Sequence, residues 1–253
     1  FKLGDSDLPP GPSQGGSGTT STVGSAVDLA CKTLQQKLKE IAIKSAPVFA
    51  GMNAEVLEVK NEMVISKTDT NAKMAIVDVL KLANQDKIDL TITSNGKTAA
   101  QLKFTSNSFS AHFVKLGVNP KDGTIKILQV VTTGDAGKII SPKTARSQML
   151  GGVVGGIGMA LSEKLEIDHK TGQIINASFG GYHLPLHSQI PPTDVWFVNK
   201  PDPNINDIGA KGIGEIALIG LAAAITNAVY NATGKRVRDL PITPEKLGFK
   251  SKV

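Results

Sequence analysis

The sequence predicts an α+β fold, and two observations lead to that class. Apolar residues recur at helical spacing in three segments, at 25–43, 144–167 and 214–234. Apolar and polar residues alternate through 110–135, on both sides of a turn at Asn119–Gly123 that suits an antiparallel hairpin. Because helices and such hairpins are interleaved along the 253 residues, the α+β class is favoured.

A chain of this length can form one large domain or two modest ones. We expect two α+β lobes. The first lobe, residues 1–107, contains a Gly-rich loop, and the second, residues 108–253, contains Gln148 and Glu215.

The first third of the chain predicts a loop, a long helix and a hairpin. The stretch GDSDLPPGPSQGGSGTTSTVG suits either a flexible linker or an anion-binding loop, because a helix predicted to begin near Ser21 or Ser25 follows at once. Alternation through 54–66 predicts a hairpin turning at Lys60-Asn61. Residues 72–83 read as an amphipathic helix.

The remaining segments predict further strands and two helices. Strands are expected at DLTITS and QLKFTS around an Asn95-Gly96 turn, and later at TGQIINASFGGY and DVWFVN. Five glycines interrupt the helix predicted over 144–167, so either a ligand or another backbone comes close, or helices pack tightly there. The last helix should end at Gly234.

Charge and cysteine content narrow the classes of function. The net charge is +6, but the lysines are scattered and no basic stripe carries interleaved aromatics, so nucleic-acid binding is disfavoured. A single cysteine, Cys31, excludes an intrachain disulfide and any Cys-based cluster or zinc site. The longest apolar run, Ile216–Ile225, is about half of what a bilayer needs, so no membrane span is expected. The compartment stays open.

Common catalytic motifs are missing. Ser17 in QGGSGTT lacks the Gly-x-Ser-x-Gly pattern of a hydrolase nucleophile. His183 and His187 are four residues apart, but Pro185 between them argues against a shared helix face and a metal site. No phosphate-binding loop or dinucleotide fingerprint occurs.

Glu215 is a lone acid in GAKGIGEIALIG, at the start of the last helix. A glutamate there commonly interacts with the helix dipole, worth about 0.3–1 kcal/mol. Its sequence neighbours are Gly, Ile, Ile and Ala, and a carboxylate in apolar surroundings is suited to act as a base. The residues by themselves leave both readings open.

Four stretches taken in order resemble the C-terminal half of the molybdenum-binding subunit of the xanthine dehydrogenase and aldehyde oxidase family. They are LGDSDLPPGPSQGGSGTTSTVGSAV, SAHFVKLGVNPKDGTIKILQVVTTGDAGKIISP, TARSQMLGGVVGGIGMALSEKLEI and GAKGIGEIALIGLAAAITNAVYNATGKRVRDLPITPEKL. The TARSQ variant with GGIGMAL is most similar to the bacterial aldehyde oxidoreductase branch, which includes periplasmic members.

The resemblance implies a set of site residues. Glu215 matches the glutamate that serves as general base beside the molybdenum, and the metal is held by the pterin rather than by protein side chains. Gln148 matches a glutamine that hydrogen-bonds the cofactor. The other implied cofactor-binding residues are Gln14, Gly15, Gly16, Ser17, Gly18, Thr19, Lys211 and Gly212.

The resemblance also implies cofactors and partners. Molybdopterin is expected in its cytosine dinucleotide form, with FAD and 2Fe–2S clusters on an FAD subunit and an iron–sulfur subunit. The upstream half of the molybdenum subunit would complete the site, and aldehydes are favoured over N-heterocycles as substrates. The family's Asn-Pro appears here as Ser141-Pro142, and the upstream cofactor loops are expected to be missing. The alternative is a fragment or assembly domain that keeps the fold without the metal.

Overall fold

The computed structural model describes residues 2, 4–9, 11–13, 15–94 and 98–250. The chain forms two compact units, a larger unit of Phe1–Ser21 with Ala99–Val253 and a smaller unit of Thr22–Thr98. These units divide the chain differently from the predicted lobes, which met at 107/108. The Gly-rich loop belongs with the C-terminal elements because the amide of Gly214 donates a hydrogen bond to the Ser17 hydroxyl.

The smaller unit combines helix α1 (Thr19–Ser45, from Thr22 onward) with strands β1 (Leu57–Lys60), β2 (Met63–Ser66) and β3 (Lys73–Ala75) and helix α2 (Ile76–Leu82). The sheet order is β1-β2-β3 and both pairings are antiparallel. The predicted hairpin is confirmed, but its turn is Asn61-Glu62, one residue later than predicted, because Lys60 pairs with Met63; the two turn residues have φ of 50° and 61°. Two consecutive residues with positive φ suit the tight turn of a two-residue hairpin. The core of the smaller unit contains Leu38, Ala42, Ala46, Phe49, Leu57, Val64, Ala72 and Val79.

Three predictions in this region differ from the structure. The helix expected over 72–83 begins only at Ile76, because Lys73–Ala75 pair with β2 as a third strand. Residues 89–94 form no strand, and Gln101–Lys103 form a short 3₁₀ helix. A strand needs a neighbouring strand to satisfy its backbone, and among the described residues no strand pairs with either segment. The predicted Asn95-Gly96 turn lies outside the described residues.

The larger unit contains strands β4 (Phe109–Val118), β5 (Ile125–Asp135) and β6 (Thr193–Phe197), with helices α3 (Pro142–Leu161), α4 (Ile216–Ile219) and α5 (Leu221–Thr233). The sheet order is β4-β5-β6, antiparallel between β4 and β5 and parallel between β5 and β6. The α+β class is therefore confirmed.

The main hairpin and the strand at DVWFVN are confirmed as β4-β5 and β6. In the hairpin turn, Gly123 donates its amide to the Asn119 carbonyl at 2.8 Å, and Lys121 donates to Asn119 Oδ1 at 2.9 Å. The strand expected over 171–182 is wrong, since this segment makes only one isolated bridge, between Ile167 and Ile174.

Tight packing explains Gly152 and Gly156 of α3, whereas a Cβ on Gly151 would meet no atom within 4 Å. A Cβ on Gly152 would lie 2.7 Å from the Cβ of Ala217, and one on Gly156 would lie 2.7 Å from the Cβ of Leu221. Small residues at these positions let α3 approach α4 and α5 closely. The helix ends at Leu161, earlier than the spacing predicted, and its buried residues join one core. That core contains Ile127, Val130, Ala136, Met149, Val153, Ile157, Ala160, Ile216, Ala217, Leu221, Ala222, Ile225, Val229, Val237, Ile242 and Leu247.

The last predicted helix is divided at Gly220 into α4 and α5, and it ends as expected at Gly234, whose φ is 69°. Within the described residues, one stretch, Ile216–Thr233, is long and apolar enough to cross a membrane by length and composition, with a mean hydropathy of 1.4. Leu221 and Ile225 of that stretch are fully buried in the core. Of the stretch, 28% is buried, and because the core helix of a soluble protein can have the same length and composition, these two properties do not establish a membrane span.

Candidate functional site

The Gly-rich loop lies against the turn that precedes α4. The hydroxyl of Ser17 accepts a hydrogen bond of 2.9 Å from the amide of Gly214. A Cβ on Gly212 would collide with the carbonyl oxygen of Gly16, and a Cβ on Gly214 would collide with the hydroxyl of Ser17. Glycine at 212 and 214 is therefore needed for this close contact. A loop with such a fixed partner is not a flexible linker.

Gly16 is needed for a different reason. Its φ is 65°, a conformation that L side chains rarely adopt, and a Cβ there would meet no atom within 4 Å. The side of Gly16 on which a Cβ would project is therefore open in the described structure, whereas its carbonyl oxygen faces Gly212. The predicted helix begins two to six residues earlier than expected, at Thr19, and the Ser21 hydroxyl donates to the Gly18 carbonyl at 3.0 Å. The loop thus leads directly into the N-terminal end of a long helix.

A first cleft of about 340 Å³ brings Gln148 close to the Gly-rich loop. The carboxamide oxygen of Gln148 lies 3.5 Å from the position that a Cβ on Gly214 would occupy. The side chain of Gln148 is exposed on α3. The lining includes two lysines, Lys138 and Lys211, and several hydroxyls, so it suits an anionic ligand with many acceptors. The hydroxyls come from Ser17, Thr19, Thr20, Ser141 and Thr144.

A second cleft of about 340 Å³ contains Glu215. One part of its lining is polar, with Ser21, Ser106, Asn107 and Ser108, and another part is apolar. The apolar part consists of Ile205, Ile213, Ile216 and Ile219. Four residues line both clefts, and we call them the shared rim; they are Ser17, Lys211, Ile213 and Gly214. The structure thus brings the Gly-rich loop, Gln148 and Glu215 together around the shared rim. Gln14 lies outside the described residues.

Glu215 occupies the N-cap position of α4, one residue before the first turn in which the sequence placed it. Its carbonyl accepts hydrogen bonds from the amides of Leu218 at 3.0 Å and Ile219 at 3.4 Å. Its side chain is exposed and does not cap the helix. The carboxylate is therefore open to solvent, in a cleft whose apolar part includes Ile213, Ile216 and Ile219. Within the described part of the chain, no ion pair involves this carboxylate.

Lys211, which the family resemblance implied as a cofactor-binding residue, lines both clefts, and its ammonium is paired with carboxylates of this chain. Its side chain is only 7% exposed, and its ammonium lies 3.0 Å from Asp135 Oδ1 and 3.9 Å from Asp202 Oδ2. The ammonium also lies 5.6 Å from the centre of the Phe109 ring. Burial acts to raise the pKa of Asp135, but the amide of Gly137 and the charge of Lys211 outweigh it and hold the pKa below its ordinary value. The ammonium is thus engaged by two carboxylates, and Lys211 borders the clefts beside them.

Several hydrogen bonds hold the loop that carries Gly212 and Gly214. The buried Asn206 donates through Nδ2 to the Ala210 carbonyl at 2.8 Å and accepts from the Ala210 amide at 3.2 Å. The Lys211 amide donates to the Ala136 carbonyl at 2.9 Å, and the Ser108 hydroxyl donates to the Gly212 carbonyl at 2.6 Å. Sequence reasoning missed Asn206 and Ser108, because a single Asn or Ser in a loop carries no local signal of burial.

Metal ligation by side chains is not indicated. Across the described residues, no group of three or more His, Cys, Asp or Glu side chains could hold a metal ion. His187 begins a short 3₁₀ helix and His183 precedes it in a stretch without regular structure, so these two do not share a helix face.

A family model described as a molybdopterin cofactor-binding domain matches residues 1–191. The chain belongs to this molybdopterin-binding family. The match includes the Gly-rich loop and Gln148, whereas Gly212 and Glu215 lie beyond it. The similarity to a relative, described next, extends over 97% of the chain and therefore includes Gly212 and Glu215.

Among molybdopterin-binding relatives, the aldehyde oxidoreductase molybdenum-binding subunit PaoC of Escherichia coli K12 is 36% identical over 245 residues. The xanthine dehydrogenase molybdenum-binding subunit of Escherichia coli O157:H7 is 32% identical over 215 residues, or 83% of this chain. The chain spans only 31% of the first relative and 28% of the second. A reconstituted CO dehydrogenase from Oligotropha carboxidovorans has the same fold, with a TM-score of 0.74 at 21% identity over 90% of this chain and 28% of that one.

The described residues fit a bound pterin cofactor. Gly212 and Gly214 allow two backbone segments to meet closely, while the side of Gly16 on which a Cβ would project is open space that a ligand could enter. The hydroxyls and the Lys138 ammonium of the first cleft provide donors for phosphate and ring acceptors.

Proposed function

We propose that this chain supplies part of the cofactor site and the general base of a molybdenum hydroxylase, an enzyme that oxidatively hydroxylates aldehydes or N-heterocycles. One observation carries the proposal. The cleft that contains the exposed Glu215 shares the rim residues Ser17 and Gly214 with the cleft that contains Gln148. A cofactor held against that rim would therefore lie next to a carboxylate.

The first cleft would hold the cofactor through its polar lining. The amides and hydroxyls of the Gly-rich loop would bind the pterin and its phosphates, together with Gln14, and the Gln148 carboxamide would donate or accept at the ring. The Lys138 ammonium would offset phosphate charge, and a dinucleotide form of the cofactor, such as the cytosine dinucleotide, would use more of these donors. When bound, molybdopterin with its molybdenum supplies the centre that takes up electrons from the substrate.

Glu215 would accept a proton in the second cleft. A general base has to reach its proton within hydrogen-bond distance, directly or through one water. The exposed carboxylate can meet that requirement, since it makes no capping bond and forms no ion pair with any cation among the described residues. Ile213, Ile216 and Ile219 would exclude water from one side of the substrate.

Aldehydes are the substrates we favour. The support is the similarity to PaoC, whose name describes an aldehyde oxidoreductase subunit, and the larger share of the chain that this similarity covers. With one cysteine, this chain cannot supply the four ligands of an iron–sulfur cluster. We therefore propose that electrons leave through an iron–sulfur subunit and an FAD subunit, and that the remaining part of the molybdenum subunit completes the site.

The complex purified with these partner subunits tests the proposal. We expect molybdenum and pterin in stoichiometric amounts and aldehyde-dependent reduction of a dye. An N-heterocycle that is oxidised faster than any aldehyde would reverse the substrate preference. A complex with neither metal nor aldehyde-dependent dye reduction would contradict the enzyme and favour an assembly role.

A further inference from the structure

His112 lies on β4 beneath the break between α4 and α5. Its Nδ1 is 2.9 Å from the Thr132 hydroxyl, and its Nε2 is 2.9 Å from the Ser110 hydroxyl. Ser110 in turn donates to the carbonyl of Ile216, the residue after Glu215. A Cβ on Gly220 would lie only 2.7 Å from Cδ2 of His112, so the imidazole fills the space that the missing side chain leaves.

The hydrogen bonds in this chain of groups have one direction. A carbonyl only accepts, so the Ser110 hydroxyl donates to Ile216 and its oxygen is left to accept from Nε2–H of His112. In a neutral imidazole Nδ1 then accepts, and Thr132 donates to it. The geometry therefore assigns the Nε2–H tautomer to His112. Burial lowers the pKa of His112, although the Ile216 carbonyl opposes this, and the neutral form is favoured.

We infer that His112 is a positioning residue for Glu215, acting through Ser110 and the Ile216 carbonyl. Helix α4 has only four residues and cannot fix its own orientation. The side chain of Ile216 is held on its other side by β5, where a Cβ on Gly134 would lie 2.9 Å from Cδ1 of Ile216. Both the carbonyl and the side chain of Ile216 are thus restrained. Because Glu215 is bonded directly to Ile216, its backbone is restrained as well, although its carboxylate is exposed. This inference rests on the proposed role of Glu215 as base.

A purely space-filling role for His112 makes different predictions from a positioning role. His112→Leu fills most of the cavity but makes no hydrogen bond. In His112→Asn the carboxamide reaches the position of Nδ1 and can bond only to Thr132. In His112→Gln the carboxamide can place an N–H near the position of Nε2 and donate to Ser110. The exposed His169 provides a matched control, His169→Gln.

Two readouts on the assembled complex, hydrogen exchange and kinetics, test the positioning role, and a nitrogen NMR spectrum separately tests the assigned tautomer. Hydrogen exchange should report the first turn of α4 directly, since the amides of Leu218 and Ile219 bond to the Glu215 carbonyl. We expect these amides to exchange about tenfold faster in the Leu and Asn variants, as for the loss of roughly one hydrogen bond, and to remain near the wild-type rate in the Gln variant. Nitrogen NMR of labelled histidine should show the Nε2–H tautomer for His112.

Kinetics give the second readout. We expect kcat to fall about tenfold in the Leu and Asn variants with little change in KM, and to recover in the Gln variant, because a misplaced base affects the chemical step more than binding. Wild-type exchange in His112→Leu would overturn the inference, and so would faster exchange with unchanged kcat. Hydrogen exchange is measured without turnover, so it tests the positioning role of His112 independently of catalysis. The proposed role of Glu215 as base would fail on its own if Glu215→Gln left kcat unchanged.

Discussion

The hydroxyl of Ser17 and the amide of Gly214 are joined by a 2.9 Å hydrogen bond across 197 residues of sequence. The bond connects the Gly-rich loop to the turn that carries Glu215, and both residues line the two clefts. The position of each cleft therefore depends on the same contact. Variants at this contact should lower cofactor binding more strongly than they lower the stability of the whole fold.

Ser17→Ala removes the acceptor of the Gly214 amide. We expect a loss of about 1 kcal/mol in the free energy of unfolding and a lower molybdenum content, because the loop no longer keeps its place against residue 214. Thermal denaturation and metal analysis measure the two effects. Ser13→Ala removes only a local acceptor, 3.4 Å from the Gly15 amide, and should keep its metal. Equal metal contents in both variants would argue against the role of this contact.

Gly212→Ala places a methyl group against the carbonyl oxygen of Gly16. Backbone atoms cannot rotate away, so we expect the loop to separate from the turn, with a strong reduction in bound pterin. Gly151→Ala is the matched control, since Gly151 lies in α3 with nothing within 4 Å of a Cβ, and alanine should stabilise the helix by up to about 1 kcal/mol. Pterin fluorescence after release from the protein provides the measurement. Full occupancy in Gly212→Ala would contradict the proposed approach of the loops.

Glu215→Gln keeps the size of the side chain but removes its ability to take up a proton. We expect turnover to fall by about 10²–10⁴, the range for a lost general base, while molybdenum content stays close to that of the unsubstituted complex. Glu166→Gln changes an equally exposed carboxylate far along the chain and should have no effect. Steady-state dye reduction with metal analysis on the same samples decides the matter. Unchanged turnover would leave Glu215 as a residue at a helix end without catalytic function.

Lys211→Met leaves the carboxylates of Asp135 and Asp202 facing each other without their cation. We expect the free energy of unfolding to fall by about 3 kcal/mol at pH 7. This value is at the lower end of the range for a broken buried ion pair, because both carboxylates are partly exposed. The pKa of Asp135 is lowered in the folded protein, so its contribution is present above the ordinary Asp pKa of about 3.9 and is lost as the pH falls through the folded value.

The difference in unfolding free energy between Lys211→Met and the unsubstituted chain should therefore begin to shrink as the pH falls below about 4, where the unfolded chain takes up a proton on Asp135 while the folded protein still keeps this carboxylate ionised. Urea denaturation at pH 7 and pH 3.5 measures this difference. A penalty that stays constant or grows on acidification would show that the ammonium does not act through these carboxylates.

Local patterns explain which parts of the fold were predictable. The hairpin of β4 and β5 has alternating residues and a turn whose Asn119 bonds its own backbone, so all the information lies within about 25 residues. The strands expected at 89–94 and 171–182 have similar composition, but no neighbouring strand pairs with them in the described structure. Composition cannot report the absence of a partner.

The candidate site divides in the same way. By its motifs alone, the sequence determined the family, the Gly-rich loop leading into a helix, and the presence of an acid at the start of the last helix. Only the tertiary structure decided that Ser17 bonds Gly214, that the ammonium of Lys211 is held by two carboxylates, and that Glu215 is exposed rather than enclosed. Periodicity and turn chemistry act over a few residues, whereas burial and charge pairing depend on which distant segments pack together.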